Sequence, residues 1–203
     1  MHINEIRERF YKALNAATLV LPVLFWTLVI YAFDEPLVAG LTVAAALIHE
    51  SGHLLYSLVS GRKTYLYGAF SGFRIRRTEH RSYGDEIMLY LSGALFNLLA
   101  SLFVLPCVSR SYYALLFLSL NLATAISNLL PIRGQDGYGI LRTLLEMKSA
   151  GSSMHGLLNG ASFVTTAFLS LLSLYLMQKC NGGYWIYSIF ILSLFSEMGR
   201  TLK

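Results

Sequence analysis

The residues with the clearest chemical meaning are His49, Glu50 and His53, which form a His-Glu-x-x-His pattern. On a helix, side chains four residues apart lie on one face, so both imidazoles can bind one metal ion with Glu50 beside them. This arrangement is typical of zinc hydrolases, in which the glutamate is the general base. The pattern lies inside an apolar run, residues 37–60, where an ionisable group without a function is costly. The alternative is a histidine pair that only makes hydrogen bonds within the core.

Composition places this pattern in a membrane protein. Hydrophobic residues make up 55% of the 203-residue chain and charged residues only 13%, which is typical of an all-α integral membrane protein. The net charge of +5 is spread over the connections between apolar runs and forms no single basic stripe. We therefore expect a lipid bilayer around the chain and no nucleic-acid partner.

Six apolar runs are candidate transmembrane helices, and together they predict one membrane-embedded domain over residues 1–203. They are residues 13–33, 37–60, 86–108, 112–130, 157–177 and 184–199. The second run carries the histidines, so the hydrolase chemistry is predicted to take place within the bilayer.

The basic residues predict the orientation of these helices. Alternate connections hold 14 of the 16 Lys and Arg residues, namely segments 1–12, 61–85, 131–156 and 200–203. By the positive-inside rule, both termini are then cytoplasmic. His53 lies seven residues before the end of its run, about 10 Å inside the cytoplasmic boundary, so the site is expected to open toward the cytoplasm. A bacterial plasma membrane is the location that so compact a chain favours.

A zinc hydrolase needs a third protein ligand, which leaves the fourth position for water. Asp136 is the candidate, because it follows Pro131 in a glycine-containing connection on the same side of the membrane as the histidines. On local chemistry alone, Asp136 could equally be a solvated turn residue or the N-cap of a helix over residues 137–148. A different kind of zinc site would instead use Glu146 or Glu197.

Two motifs together resemble the site-2 protease family of intramembrane metalloproteases. One is the family's His-Glu-x-Gly-His, here residues 49–53, and the other is Asn-x-x-Pro-x-x-x-x-Asp-Gly, here residues 128–137. Residues 92–97 are also similar to the family's Gly-Pro-x-x-Asn element, with Ala94 in place of proline. Gln135 stands where the family usually has leucine. The resemblance covers the second to fourth spans and the loop that follows, and the compact size is most like the sporulation proteases that process a pro-sigma factor.

The resemblance implies a role for each motif residue. His49, His53 and Asp136 would bind one zinc ion, and Glu50 would take a proton from water and pass it to the leaving amine. Asn128 would hold the substrate backbone or the oxyanion, or alternatively tie its helix to a neighbour. The substrate would be a transmembrane or membrane-associated protein.

The segment 65–77 predicts a short membrane-associated β-hairpin between the second and third helices. Its apolar and basic residues alternate, and Gly68 and Gly72 bracket a turn that contains Phe70. An open strand edge could hold an unwound peptide straight, so Gly68, Phe70 and Gly72 are candidate substrate-binding residues. The family has a hairpin at this place. The alternative is that the arginines of this segment only anchor the loop to anionic lipid.

Two other functions fit parts of the pattern. Some zinc transporters also have a His-Glu-x-x-His-like helix, but a transporter needs a second polar helix to continue the ion path. A catalytically silent relative that binds membrane partners would not need Glu50, which is intact here.

Overall fold

The computed structural model describes residues 27–28, 31–32, 35–61, 64–69, 72–77, 82–149, 151–180, 191 and 194–195. Its helices are α1 (Pro36–Val59), α2 (Tyr83–Val104), α3 (Tyr112–Asn128), α4 (Asp136–Met147) and α5 (Ser152–Cys180). A single 3₁₀ turn, Leu105–Cys107, follows α2. Between α1 and α2 lie two strands, β1 (Thr64–Ala69) and β2 (Gly72–Arg77).

Three of these helical segments are long and apolar enough to cross a membrane: α1, α2 with its 3₁₀ turn, and α5 as far as Lys179. They coincide with the predicted spans 37–60, 86–108 and 157–177. The mostly helical, membrane-competent fold is thus confirmed. Helix α3 has 17 residues and is about 25 Å long, roughly one turn short of a bilayer core, so span 112–130 stays a prediction.

The predicted spans 13–33 and 184–199 lie almost entirely outside the described residues. The count of six spans and the single domain over residues 1–203 therefore stay predictions.

Short polar residues and proline mark where the helices begin. Pro36 is in the first turn of α1, where its missing N–H has no partner to lose. Ser82 caps α2, with its hydroxyl accepting from the Asp85 N–H at 3.3 Å, and Ser111 caps α3 through the Ala114 N–H at 3.4 Å. These breaks separate one apolar run from the next.

The core that positions the histidines consists of α1, α2 and α3, each of which contacts the other two. Helix α4 packs against α2, and α5 packs against α4. At the α1–α2 contact, Gly52 lies so close to the Ser92 carbonyl that a Cβ atom at position 52 would overlap it. The histidine face of α1 is therefore pressed directly against the backbone of α2.

The strands β1 and β2 form an antiparallel two-stranded ribbon at the place where the hairpin was expected. Ala69 pairs with Gly72 and Gly68 with Phe73, and the register continues to Thr64 opposite Arg77. Phe70 lies outside the described residues. Association of this ribbon with the membrane surface stays a prediction.

Candidate metal centre

The histidines of α1 and the aspartate of α4 meet at one point. The Nε2 atoms of His49 and His53 are 3.2 Å apart, and the two rings are nearly perpendicular. Asp136 Oδ2 lies 3.0 Å from His49 Nε2 and 3.2 Å from His53 Nε2. Both histidines are buried and Asp136 is half-buried. The sequence predicted these three residues as a ligand set, and the structure brings their ligand atoms into one small triangle.

The triangle has the dimensions of one face of a zinc site. Tetrahedral zinc with bonds of about 2.0–2.1 Å holds neighbouring ligand atoms about 3.3 Å apart, close to the 3.0–3.2 Å separations seen here. Two imidazole nitrogens and one carboxylate oxygen are common zinc ligands. The residues present therefore fit a zinc ion.

The second nitrogen of each ring is held by a hydrogen-bond acceptor. His49 Nδ1 lies 2.9 Å from Asn97 Oδ1, and His53 Nδ1 lies 2.8 Å from the Leu89 carbonyl. A carbonyl oxygen only accepts, so each Nδ1 carries a proton and donates it, and in the neutral imidazole this leaves the Nε2 lone pair for a metal ion. Two lone pairs and a carboxylate facing each other at about 3 Å repel without a cation between them. This favours a metal site over a histidine pair that is satisfied within the core.

The side chain of Asn97 has a fixed orientation. Its Nδ2 donates to the Ala45 carbonyl and to Asn121 Oδ1, both at 2.9 Å, so its oxygen must face His49. The sequence showed Asn97 as part of a family motif but indicated no role for it. Asn121 was missed, although an asparagine in the middle of an apolar run was a usable signal.

The backbone of α2 forms one wall of the site at Gly93. A Cβ atom there would lie 2.6 Å from His49 Cε1 and 2.6 Å from His53 Nε2. The imidazoles occupy the space that any other side chain at position 93 would need. Gly93 belongs to the third motif of the sequence, residues 92–97, but nothing in the sequence indicated that it would contact the histidines.

A tight turn brings Asp136 back to the histidines. Helix α3 ends at Asn128, Gly134 has a φ of 100°, and α4 begins at Asp136. Gly137 packs directly on the Leu129 carbonyl, which a side chain at that position would prevent. The N-cap of α4 is Gln135, without a side-chain capping bond, so the alternative in which Asp136 is the N-cap is wrong.

Glu50 lies one residue after His49 and is half-buried. Its carboxylate is close enough for its charge to interact with His53, His49 and Asp136. The role of Glu50 as the general base stays a prediction.

The other candidate residues are less directly connected to the centre. Asn128 Nδ2 donates to the Thr124 carbonyl of its own helix at 2.9 Å, and its role toward a substrate stays a prediction. Glu146 lies at the far end of α4 and accepts from Arg142 Nε at 2.8 Å, so it does not join the histidines. Glu197 lies outside the described residues.

The fold is similar to that of the Site-2 Protease from Methanocaldococcus jannaschii. The TM-score is 0.63 with 17% sequence identity, over 90% of this chain and 87% of that one. No family model and no curated protein matches the sequence. The chain therefore has the fold of this site-2 protease, and the resemblance indicated by the motifs is confirmed at the level of the fold.

Proposed function

We propose that the chain is a zinc-dependent intramembrane endopeptidase of the site-2 protease type. It hydrolyses a peptide bond in or near a transmembrane segment of a membrane-associated protein. The observation that carries this proposal is the triangle formed by the candidate ligand atoms of His49, His53 and Asp136, which lie 3.0–3.2 Å apart. This triangle lies among apolar helices. The similarity to a site-2 protease over most of the chain supports it.

Each residue at the centre then has one task. His49, His53 and Asp136 hold one zinc ion, which when bound supplies a Lewis acid for the scissile carbonyl and the attacking water. Glu50 accepts a proton from that water and returns it to the leaving amine. Asn97 and the Leu89 carbonyl keep the two imidazoles oriented.

A helical substrate must unwind before it can react, because its peptide bonds are otherwise hydrogen-bonded within its own helix. An extended peptide can add to an edge of the β1–β2 ribbon, where Gly68 and Gly72 lie at the turn end. Phe70, which the structure does not describe, is proposed as a third contact from its place in the sequence between these two glycines. Asn128, at the end of α3, is the proposed contact for the substrate backbone. These residues are the substrate-binding part of the proposal.

The site opens toward the cytoplasm in this proposal, and both termini are cytoplasmic. The distribution of Lys and Arg along the sequence supports this orientation. A bacterial plasma membrane is the proposed location.

The test is cleavage of a panel of single-span membrane proteins, each co-expressed with the wild type or with Glu50→Gln. The matched control is Glu146→Gln, which alters a glutamate far from the histidines. We expect Glu50→Gln to abolish cleavage while the purified protein keeps its zinc, and Glu146→Gln to cleave normally. Cleavage that survives in Glu50→Gln would overturn the role of Glu50 as the base. Zinc flux into proteoliposomes without any cleavage would instead favour a transporter.

A further inference from the structure

We propose that Asn121 is a positioning residue for the metal centre. Acting through Asn97, it keeps the proton of His49 on Nδ1 and thereby leaves Nε2 for the metal. This inference rests on the proposed zinc site, and it gives a role to a residue outside all three motifs.

A series of hydrogen bonds runs from Asn121 on α3 through Asn97 on α2 to His49 on α1, and the donor and acceptor of each bond are fixed. Asn121 Nδ2 donates to the Phe117 carbonyl at 2.9 Å, so the Asn121 oxygen must point the other way, toward Asn97. Asn97 Nδ2 donates to that oxygen and to the Ala45 carbonyl. Asn97 Oδ1 is therefore left to accept from His49 Nδ1. Backbone carbonyls at Phe117 and Ala45 set the direction of every bond.

The direction decides which nitrogen of His49 is available to a metal. If the Asn97 amide were reversed, its NH₂ group would face His49 Nδ1. The imidazole could accept that bond only by moving its proton to Nε2, and a protonated Nε2 cannot bind a metal ion. The orientation of one amide thus selects between a form of His49 that binds metal and a form that does not.

Burial makes the reversed arrangement costly. Asn97 and Asn121 are both 0% exposed, so water cannot replace a lost bond. An amide group buried without a partner costs about 1–3 kcal/mol, which penalises any orientation that breaks the chain. The corresponding proton on His53 is held directly by the Leu89 backbone carbonyl and needs no such chain. The effect of Asn121 is therefore confined to His49.

A structural role for Asn121 predicts different behaviour. An asparagine that only ties α3 to α2 would lower the unfolding temperature when replaced, without changing zinc affinity in the folded protein. Replacement of a positioning residue lowers zinc affinity, and it does so only while Asn97 is present. A double-mutant cycle separates the two.

The experiment measures the affinity of the purified, detergent-solubilised full chain for Zn²⁺ by competition with a chromophoric chelator. The variants are Asn121→Leu, Asn97→Leu, the double variant and Asn121→Asp. The control is Thr166→Val on α5, because Thr166 is equally buried and, among the described residues, its hydroxyl bonds only to the Ser162 carbonyl of its own helix.

We expect Asn97→Leu to weaken zinc binding 10–100-fold, as is usual for a partner of a ligating histidine. Asn121→Leu should weaken it about tenfold, and the double variant no more than Asn97→Leu alone. Asn121→Asp should bind zinc as the wild type does. Burial keeps the new carboxyl neutral, so that it can still accept from Asn97 and donate to Phe117. Thr166→Val should bind zinc normally.

Unchanged zinc affinity in folded Asn121→Leu, or additive losses in the double variant, would overturn the inference. If Asn121→Leu does not fold, Asn121→Ala removes the same oxygen without adding bulk or a new acceptor, and unchanged affinity there has the same meaning. A wild type that binds no zinc would instead overturn the proposed function, so the two failures are distinguishable.

Discussion

Asp136 Oδ2 lies 3.0 Å from His49 Nε2, although 87 positions separate the two residues in the sequence. One is on an apolar helix and the other is the first residue of a short helix that follows a tight turn. Their closeness depends on the packing of α4 against α2 and of α2 against α1.

Replacement of Asp136 by alanine removes the ligand that α4 contributes. We expect zinc affinity to fall by more than the roughly 100-fold that loss of an outer partner costs, because a direct ligand is lost. Measurement is by chelator competition on the purified protein. Glu146→Ala is the control, since it removes a carboxylate from the opposite end of the same helix. Equal zinc affinity in Asp136→Ala and wild type would show that the third ligand lies elsewhere.

Gly93→Ala places a methyl group where the imidazoles lie. The new Cβ would be 2.6 Å from His53 Nε2 and 2.7 Å from His49 Nε2, so the rings or the helices must move. We expect loss of stoichiometric zinc, measured by elemental analysis.

Gly160→Ala on α5 is the matched control for Gly93→Ala, because no atom of the described residues lies within 4 Å of its Cβ position. Alanine favours a helix by about 1 kcal/mol over glycine, so this variant should be as stable as the wild type or more so. Normal zinc content in Gly93→Ala would contradict the observed approach of α2 to the rings.

Gly137→Ala tests the turn that returns Asp136 to the site. A Cβ atom at position 137 would overlap the Leu129 carbonyl, so the start of α4 must shift. We expect weaker zinc binding with helical content retained, as followed by circular dichroism beside the chelator assay. An unchanged affinity would mean that the turn can adjust without moving Asp136.

The sequence predicted the ligands better than it predicted their supports. Helical spacing places His49 and His53 on one face, and the motif that contains Asp136 indicated the third candidate ligand. Spacing along one chain does not show which helix faces another, so the contact of Gly93 with the rings could not be predicted. The same holds for the bonds from Asn121 through Asn97 to His49.

The residues around Asp136 in the sequence did not show whether it is an N-cap or a candidate metal ligand, and the packing of α4 decided between the two. Asp136 is as good an N-cap as a ligand when only its neighbours in the sequence are considered. In the structure the helix begins at Asp136, one residue earlier than an N-cap at 136 requires, with Gln135 as the N-cap. The carboxylate is thereby free to face the histidines.

The central claim is that zinc held by His49, His53 and Asp136 makes this chain a protease. The most direct measurement is cleavage by metal-depleted protein, reconstituted in liposomes with a substrate found in the panel, as Zn²⁺ is added. We predict no cleavage without metal and a rise that ends at about one zinc per chain, with no rise in Glu50→Gln. Full cleavage by the metal-depleted protein would contradict the account.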